Sequence, residues 1–98
     1  MNNTRREAIG KVIAEIDNLL DDLSSHIQEI ESEVEYLREA EEEAYDNMPE
    51  NLQNSDKGEA VMEAENNLSY AKSKLDDWVW DIRGMGDEIV RYLEEAKA

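Results

Sequence analysis

The chain has 98 residues, with 26 Asp and Glu against 10 Lys and Arg, which gives a net charge of −16. A charge of this sign repels nucleic acid, anionic membranes and anionic metabolites, and it attracts basic surfaces of other proteins. The charge is concentrated in residues 12–71, where 18 acidic residues face only Arg38 and Lys57. Because the chain has no Cys, disulfides, thiolate metal sites and Cys nucleophiles are excluded.

The first predicted element is a long helix over about residues 5–47. Its start is indicated by Thr4 and Glu7, which have the spacing of a capping box, and its end by Pro49, which cannot continue a helix. Between them, residues recur in alternating steps of three and four, the spacing of a coiled-coil contact row. This predicted contact row is Ile9, Ile13, Ile16, Leu20, Leu23, Ile27, Ile30, Val34, Leu37, Glu41, Ala44 and Met48.

Residues 48–56 are predicted to form a loop, and a second helix is predicted over about residues 57–97. Asp56 and Glu59 have the spacing of a second capping box. Gly84 and Gly86 each weaken a helix by roughly 1 kcal/mol relative to Ala, but the apolar pattern keeps its phase across them, which favours one helix, continuous or gently kinked. The second contact row is Val61, Ala64, Leu68, Ala71, Leu75, Trp78, Ile82, Met85, Ile89, Tyr92 and Ala96.

These elements predict a single all-α domain: a long, coiled-coil-like antiparallel helical hairpin. Val12, Leu19, Val79 and Leu93 widen the apolar stripes beyond the need of one neighbouring helix. We therefore expect an antiparallel dimer that forms a four-helix bundle, the alternative being a monomeric hairpin. Trp80 falls on the row opposite the contact row, where it would anchor a partner or lie in the dimer contact. Trp80, Leu19 and Val79 are thus the interface candidates.

The densest run of carboxylates defines a candidate partner-binding surface, called here the acidic tip. Carboxylates at short intervals along a helix can stand in for the phosphates of a nucleic acid in a basic cleft. The alternative is a solvated face that only keeps the protein dissolved. The acidic tip comprises Glu39, Glu42, Glu43 and Asp46 from the first helix and Glu59 and Glu63 from the second.

No residue set specifies a reaction, and we expect no enzyme, no metal and no cofactor. All-α nucleotide pyrophosphohydrolases hold Mg²⁺ with Glu-x-x-Glu and Glu-x-x-Asp pairs, and Glu39 with Glu42 and Glu43 with Asp46 have these spacings. However, almost no Lys or Arg lies nearby to hold a triphosphate, so this activity is only a minor alternative. His26, the one histidine, is expected to pack at the edge of the contact row near Trp78.

The stretch DNMPENLQ, residues 46–53, resembles the loop of small, mostly uncharacterised helical proteins encoded by phages and prophages. In those proteins a similar loop joins two Leu- and Glu-rich helices. The resemblance implies a mobile-element setting, in which small acidic proteins often inhibit host defence nucleases or act as regulators.

Together these features predict a cytoplasmic, acidic protein-binding module, a homodimer that contacts neither nucleic acid nor membrane directly. Its expected partner is a basic host nucleic-acid-binding or defence protein, which it would inhibit, and nucleic-acid mimicry is one way to do so. The alternative is a non-catalytic phage scaffold or assembly chaperone that acts through its apolar, Trp-bearing end. Tip-mediated capture should weaken steeply with salt, whereas an apolar contact should not.

Overall fold

The protein is all-α in a computed structural model that describes residues 3–98. Helix α1 spans Asn3–Asp46, the short helix α2 spans Glu50–Gln53, and helix α3 spans Asp56–Lys97. Residues 3–98 contain no strand, and α3 runs unbroken through Gly84 and Gly86, as the apolar pattern predicted. Within the same range, no helix combines the length and apolarity that a membrane crossing requires.

The chain divides into two compact units, and each contains a stretch of α1 paired with a stretch of α3. The terminal unit comprises Met1–Ile27 and Asp77–Ala98, and the loop unit comprises Gln28–Asp76. In the terminal unit, Asp21 and Arg83 approach to 3.6 Å, and Gly10 lies beside Lys97. In the loop unit, Arg38 contacts Glu65 at 3.1 Å and Glu35 contacts Lys72 at 3.3 Å. Partner positions therefore fall as α1 positions rise, so the helices are antiparallel, as in the predicted hairpin.

The helix starts differ from the predicted capping boxes. Thr4 lies inside α1, whose described part already begins at Asn3. Ser55, and not Asp56, precedes α3, because the carbonyl of Ser55 accepts the first helical hydrogen bond from the Glu59 amide at 3.0 Å. Both predictions were wrong by at least one residue, since a side chain that can cap a helix can also occupy its first turn. The predicted loop 48–56 contains α2, which follows Pro49.

Gly58 is buried where the first turn of α3 meets α2. A Cβ atom added there would lie 2.6 Å from the carbonyl carbon of Gln53 and 2.6 Å from the carbonyl oxygen of Leu52, and closer still to the Gln53 oxygen. These are backbone atoms, which cannot rotate away as a side chain can. Glycine is thus required at position 58, because the first turn of α3 lies so close to the backbone of α2.

The observed contact row departs from the predicted one along both long helices. On α1, Ile30 and Leu37 are exposed, and the next residues, Glu31 and Arg38, are partly buried in their place. Strict alternation of three and four residues gives 3.5 residues per turn, whereas an α-helix has about 3.6, so the inward row drifts to later positions. The other residues that were predicted inward and are exposed are Ala44, Ala71, Trp78, Met85, Ile89, Tyr92 and Ala96.

The core is thin and lies in the terminal unit. Among residues 3–98, the buried apolar side chains are Ile13, Leu20 and Ile27. Ser24, which lies between Leu20 and Ile27 in the sequence, is also buried. Leu20 packs against Gly86, where an added Cβ would lie 2.9 Å from one of its methyl carbons. Glycine at this point lets a large side chain of α1 fill the space next to α3, so Gly86 contributes packing despite its low helix propensity.

Candidate partner-binding surfaces

All six residues of the acidic tip are exposed, on both long helices of the loop unit. This unit holds fifteen acidic and four basic residues, a net charge of −11, against −5 for the terminal unit. Because α3 residues 59–63 run antiparallel to residues 39–46 of α1, the six tip carboxylates occupy about 10.5 Å of helix. The spacing of about 1.8 Å per charge is comparable with about 1.7 Å in duplex DNA.

Arg38 is the centre of an ion-pair cluster beside the acidic tip. Its guanidinium contacts Glu35 at 2.7 Å, Glu42 at 3.0 Å and Glu65 at 3.1 Å. Hydrogen bonds from Arg38 first, and from Lys72 to a lesser extent, lower the pKa of Glu35 to about 2. Hydrogen bonds to Glu35 first, and then to Glu42, raise the pKa of Arg38 further above its ordinary value. Of the tip residues, Glu42 is therefore partly neutralised.

Replacing Arg38 with Gln is expected to lower the melting temperature at pH 7, because Glu35, Glu42 and Glu65 would then repel one another without a shared cation. Arg83→Gln is the matched control, since Arg83 makes one exposed contact with Asp21 at 3.6 Å, and such pairs contribute little. Thermal melts followed by circular dichroism at pH 7 and pH 3 test this prediction. The loss should shrink at pH 3, and equal losses for both variants would contradict the assigned role of Arg38.

An open groove of about 460 Å³ runs along the loop unit beside this cluster, lined by Glu31, Ser32, Glu35, Tyr36, Glu39 and Lys72. The pKa of Glu31 is raised, first by its hydrogen bond to Asp76 and then by desolvation. Glu31 Oε1 is buried without a hydrogen-bond partner. The groove presents carboxylates and is unsuited to an anionic ligand.

The three interface candidates differ in exposure. Trp80 is 77% exposed and Leu19 is 62% exposed, so both are available to a partner. Val79 and Leu93 are partly buried, because the drift of the contact row has brought them towards α1. Less of these two side chains is therefore open to a second copy, whereas Val12 and Leu19 remain exposed on α1.

His26 immediately precedes the buried Ile27 and so lies at the edge of the contact row, as predicted, but its side chain is exposed and not packed there. Within residues 3–98, no three His, Asp or Glu side chains are grouped closely enough to hold a metal ion. The pairs Glu39 with Glu42 and Glu43 with Asp46 lie on exposed turns of one helix.

Sequence reasoning missed Gly58 and the role of Arg38. Arg38 gave a signal, because it is the only base in residues 12–56 and its neighbours Glu35 and Glu42 lie at helical contact spacing. Gly58 gave none, since its constraint comes from the backbone of α2, a helix that the pattern did not predict. Comparisons with protein families, curated proteins and solved structures give no match to this chain.

Proposed function

We propose that the protein is an acidic protein-binding module that captures a basic nucleic-acid-binding or defence protein through the acidic tip and competes with its nucleic acid. The observation that carries the proposal is the exposure of all six tip carboxylates. Their spacing, close to that of DNA phosphates, supports competition for the same basic cleft. The helices that carry the tip support it too, because charges held on helices cost less entropy on binding than charges on a flexible tail.

The setting we propose is a phage or other mobile element, following the resemblance of the DNMPENLQ loop. The protein would act in the cytoplasm of the host, as a non-enzymatic inhibitor and as a homodimer. Dimerisation is supported by the thin core of the hairpin and by the large apolar side chains that stay exposed on both long helices.

The alternative proposal is a phage scaffold or assembly chaperone. Trp80 favours it, because a Trp that is 77% exposed is typical of an anchor that a partner covers. Under this alternative, Trp80→Ala should weaken partner binding by about thirtyfold or more. Changes in the acidic tip should then have small effects.

The test of the mimicry proposal is charge reversal. Glu39, Glu43, Asp46 and Glu63 should be replaced together by Lys, leaving Glu42 with Arg38 so that the ion-pair cluster survives. Host proteins captured on the immobilised wild type from lysate would be identified by mass spectrometry, and the purified partner would be loaded with a labelled DNA duplex. The wild type should displace the duplex, and the reversed variant should not.

A matched control is the reversal of Glu15, Asp17, Asp21 and Asp22 to Lys. This variant carries the same change in net charge but leaves the acidic tip intact, so it should still displace the duplex. If both reversed variants lose displacement equally, net charge and not the acidic tip is responsible. If neither does, or if the partner binds protein and duplex together, mimicry is wrong.

A further inference from the structure

One face of the terminal unit carries six exposed residues in three layers. The face follows from the contact row, since Val12 and Leu19 immediately precede the buried Ile13 and Leu20, and Met85 precedes the buried Gly86. In two antiparallel helices, the residues that immediately precede inward residues lie on the same side of the pair. The face comprises Val12, Leu19 and His26 on α1 and Trp78, Met85 and Tyr92 on α3.

The layers are regularly spaced. The contact of Leu20 with Gly86 fixes the register, so Leu19 and Met85 form the middle layer. Val12 and Tyr92 form the outer layer, and His26 and Trp78 form the inner one. Successive layers are seven residues apart, about 10.5 Å along the helices. A twofold axis through the middle layer would therefore place the outer layer of one copy on the inner layer of the other.

From this geometry we infer that the face binds the same face of a second copy, with the two hairpins antiparallel and α1 packed on α1. This inference rests on the homodimer in the proposed function and specifies its contact surface. A twofold interface must be self-complementary, and three evenly spaced layers meet that condition. Met85 is 70% exposed and Leu19 is 62% exposed, so the middle layer has most to gain from being covered.

The exposed area of the chain supports a second copy as the occupant. A compact monomer of 11.3 kDa exposes about 5,700 Å², whereas this chain exposes 7328 Å². The excess is about 1,600 Å², and a stable interface of standard size covers about 800 Å² on each partner. The excess belongs to the chain as a whole, and it is large enough for one interface of this size on each copy.

The charges of the terminal unit favour the antiparallel arrangement. Residues 5–11 of α1 hold Arg5, Arg6 and Lys11 against Glu7, whereas residues 12–22 hold four acids and no base. A parallel dimer would bring the two basic ends together and α1 onto α3. An antiparallel dimer separates the two basic ends, which removes the repulsion between them, whereas the two acidic stretches lie at about the same height in both arrangements.

The test uses two pairs of matched variants of the full chain, studied by sedimentation at micromolar concentration. Leu19→Glu and Met85→Glu alter the middle layer. Leu37→Glu and Met62→Glu are controls on the same two helices, at residues that are exposed but lie in the loop unit. The wild type and the controls should be dimers. The two face variants should weaken the dimer by about thirtyfold or more, with helicity checked by circular dichroism.

Crosslinking gives a second measurement that does not depend on destabilised variants. Because the chain has no Cys, a single Leu19→Cys substitution introduces one thiol per copy, and a short bis-maleimide should join two copies through it. Val12→Cys should not crosslink, since Val12 would face the partner's inner layer. A monomeric wild type would overturn both the homodimer and this inference. A wild-type dimer that survives both face variants, or crosslinks at Val12 in preference to Leu19, would overturn the face alone.

Discussion

Replacing Gly58 with Ala is expected to lower the free energy of unfolding by about 1–3 kcal/mol. The added methyl group would lie 2.6 Å from the carbonyl oxygen of Leu52, well inside van der Waals contact, and the atoms it meets are all backbone. The first turn of α3 or the whole of α2 must move to relieve the contact. Urea unfolding followed by circular dichroism measures the loss.

Gly84→Ala is the matched control, because an added Cβ at Gly84 meets nothing within 4 Å. There the higher helix propensity of Ala should act alone and stabilise the protein by up to about 1 kcal/mol. Gly86→Ala should fall between the two, since it displaces the flexible end of Leu20. If Gly58→Ala also stabilised the protein, the close approach of α2 to α3 would be wrong.

The fold class and the hairpin could be predicted from the sequence because one signal dominates. Apolar residues repeat at helical spacing over two long stretches, and the DNMPENLQ segment contains the only proline. The exposure of Trp80 followed from the same spacing, since a row opposite the contact row faces away from the other helix.

The exact contact row could not be predicted, because small errors in helical phase accumulate. A pattern read at 3.5 residues per turn keeps Leu37 and Trp78 inward, but the helices place their neighbours Arg38 and Val79 there instead. In the loop unit this brings ionic residues towards the other helix, where they form pairs such as Glu35 with Lys72. A pattern of apolar residues gives no information about charged residues that face the other helix and pair there.

The acidic tip could be located from composition, but its internal pairing could not. Arg38 and Glu65 are 27 positions apart in sequence and meet only because the antiparallel register brings them together at 3.1 Å. An error of one residue in the predicted register is enough to miss such a contact. Of the six exposed tip carboxylates that carry the binding proposal, only Glu42 belongs to this cluster, and the other five lie outside it.

Stability is expected to pass through a maximum near pH 5, between losses on both sides. The raised pKa of Glu31 means that the folded chain holds a proton there more tightly than the unfolded chain, whose ordinary value is 4.5. This contribution is complete below pH 4.5 and is lost as the pH rises through the raised pKa. Glu35 acts in the opposite sense, since its contribution is complete above pH 4.5 and is lost as the pH falls towards 2.

The melting temperature should therefore rise from pH 7 to pH 5 and fall from pH 5 to pH 3. Added salt should raise it at pH 7 by screening the net charge of −16.

Glu31→Gln mimics the protonated carboxyl and should stabilise the protein at pH 7, so the rise in melting temperature from pH 7 to pH 5 should be smaller in this variant. Glu33→Gln is the control, at an exposed carboxylate two residues away, and it should keep most of the rise from pH 7 to pH 5. Glu35→Gln should reduce the fall in melting temperature from pH 5 to pH 3, because the protonation that breaks the pairs of Glu35 with Arg38 and Lys72 can no longer occur. A melting temperature that fell steadily from pH 7 to pH 3 would mean that the pairs of Glu35 outweigh both the Glu31–Asp76 contact and the general repulsion.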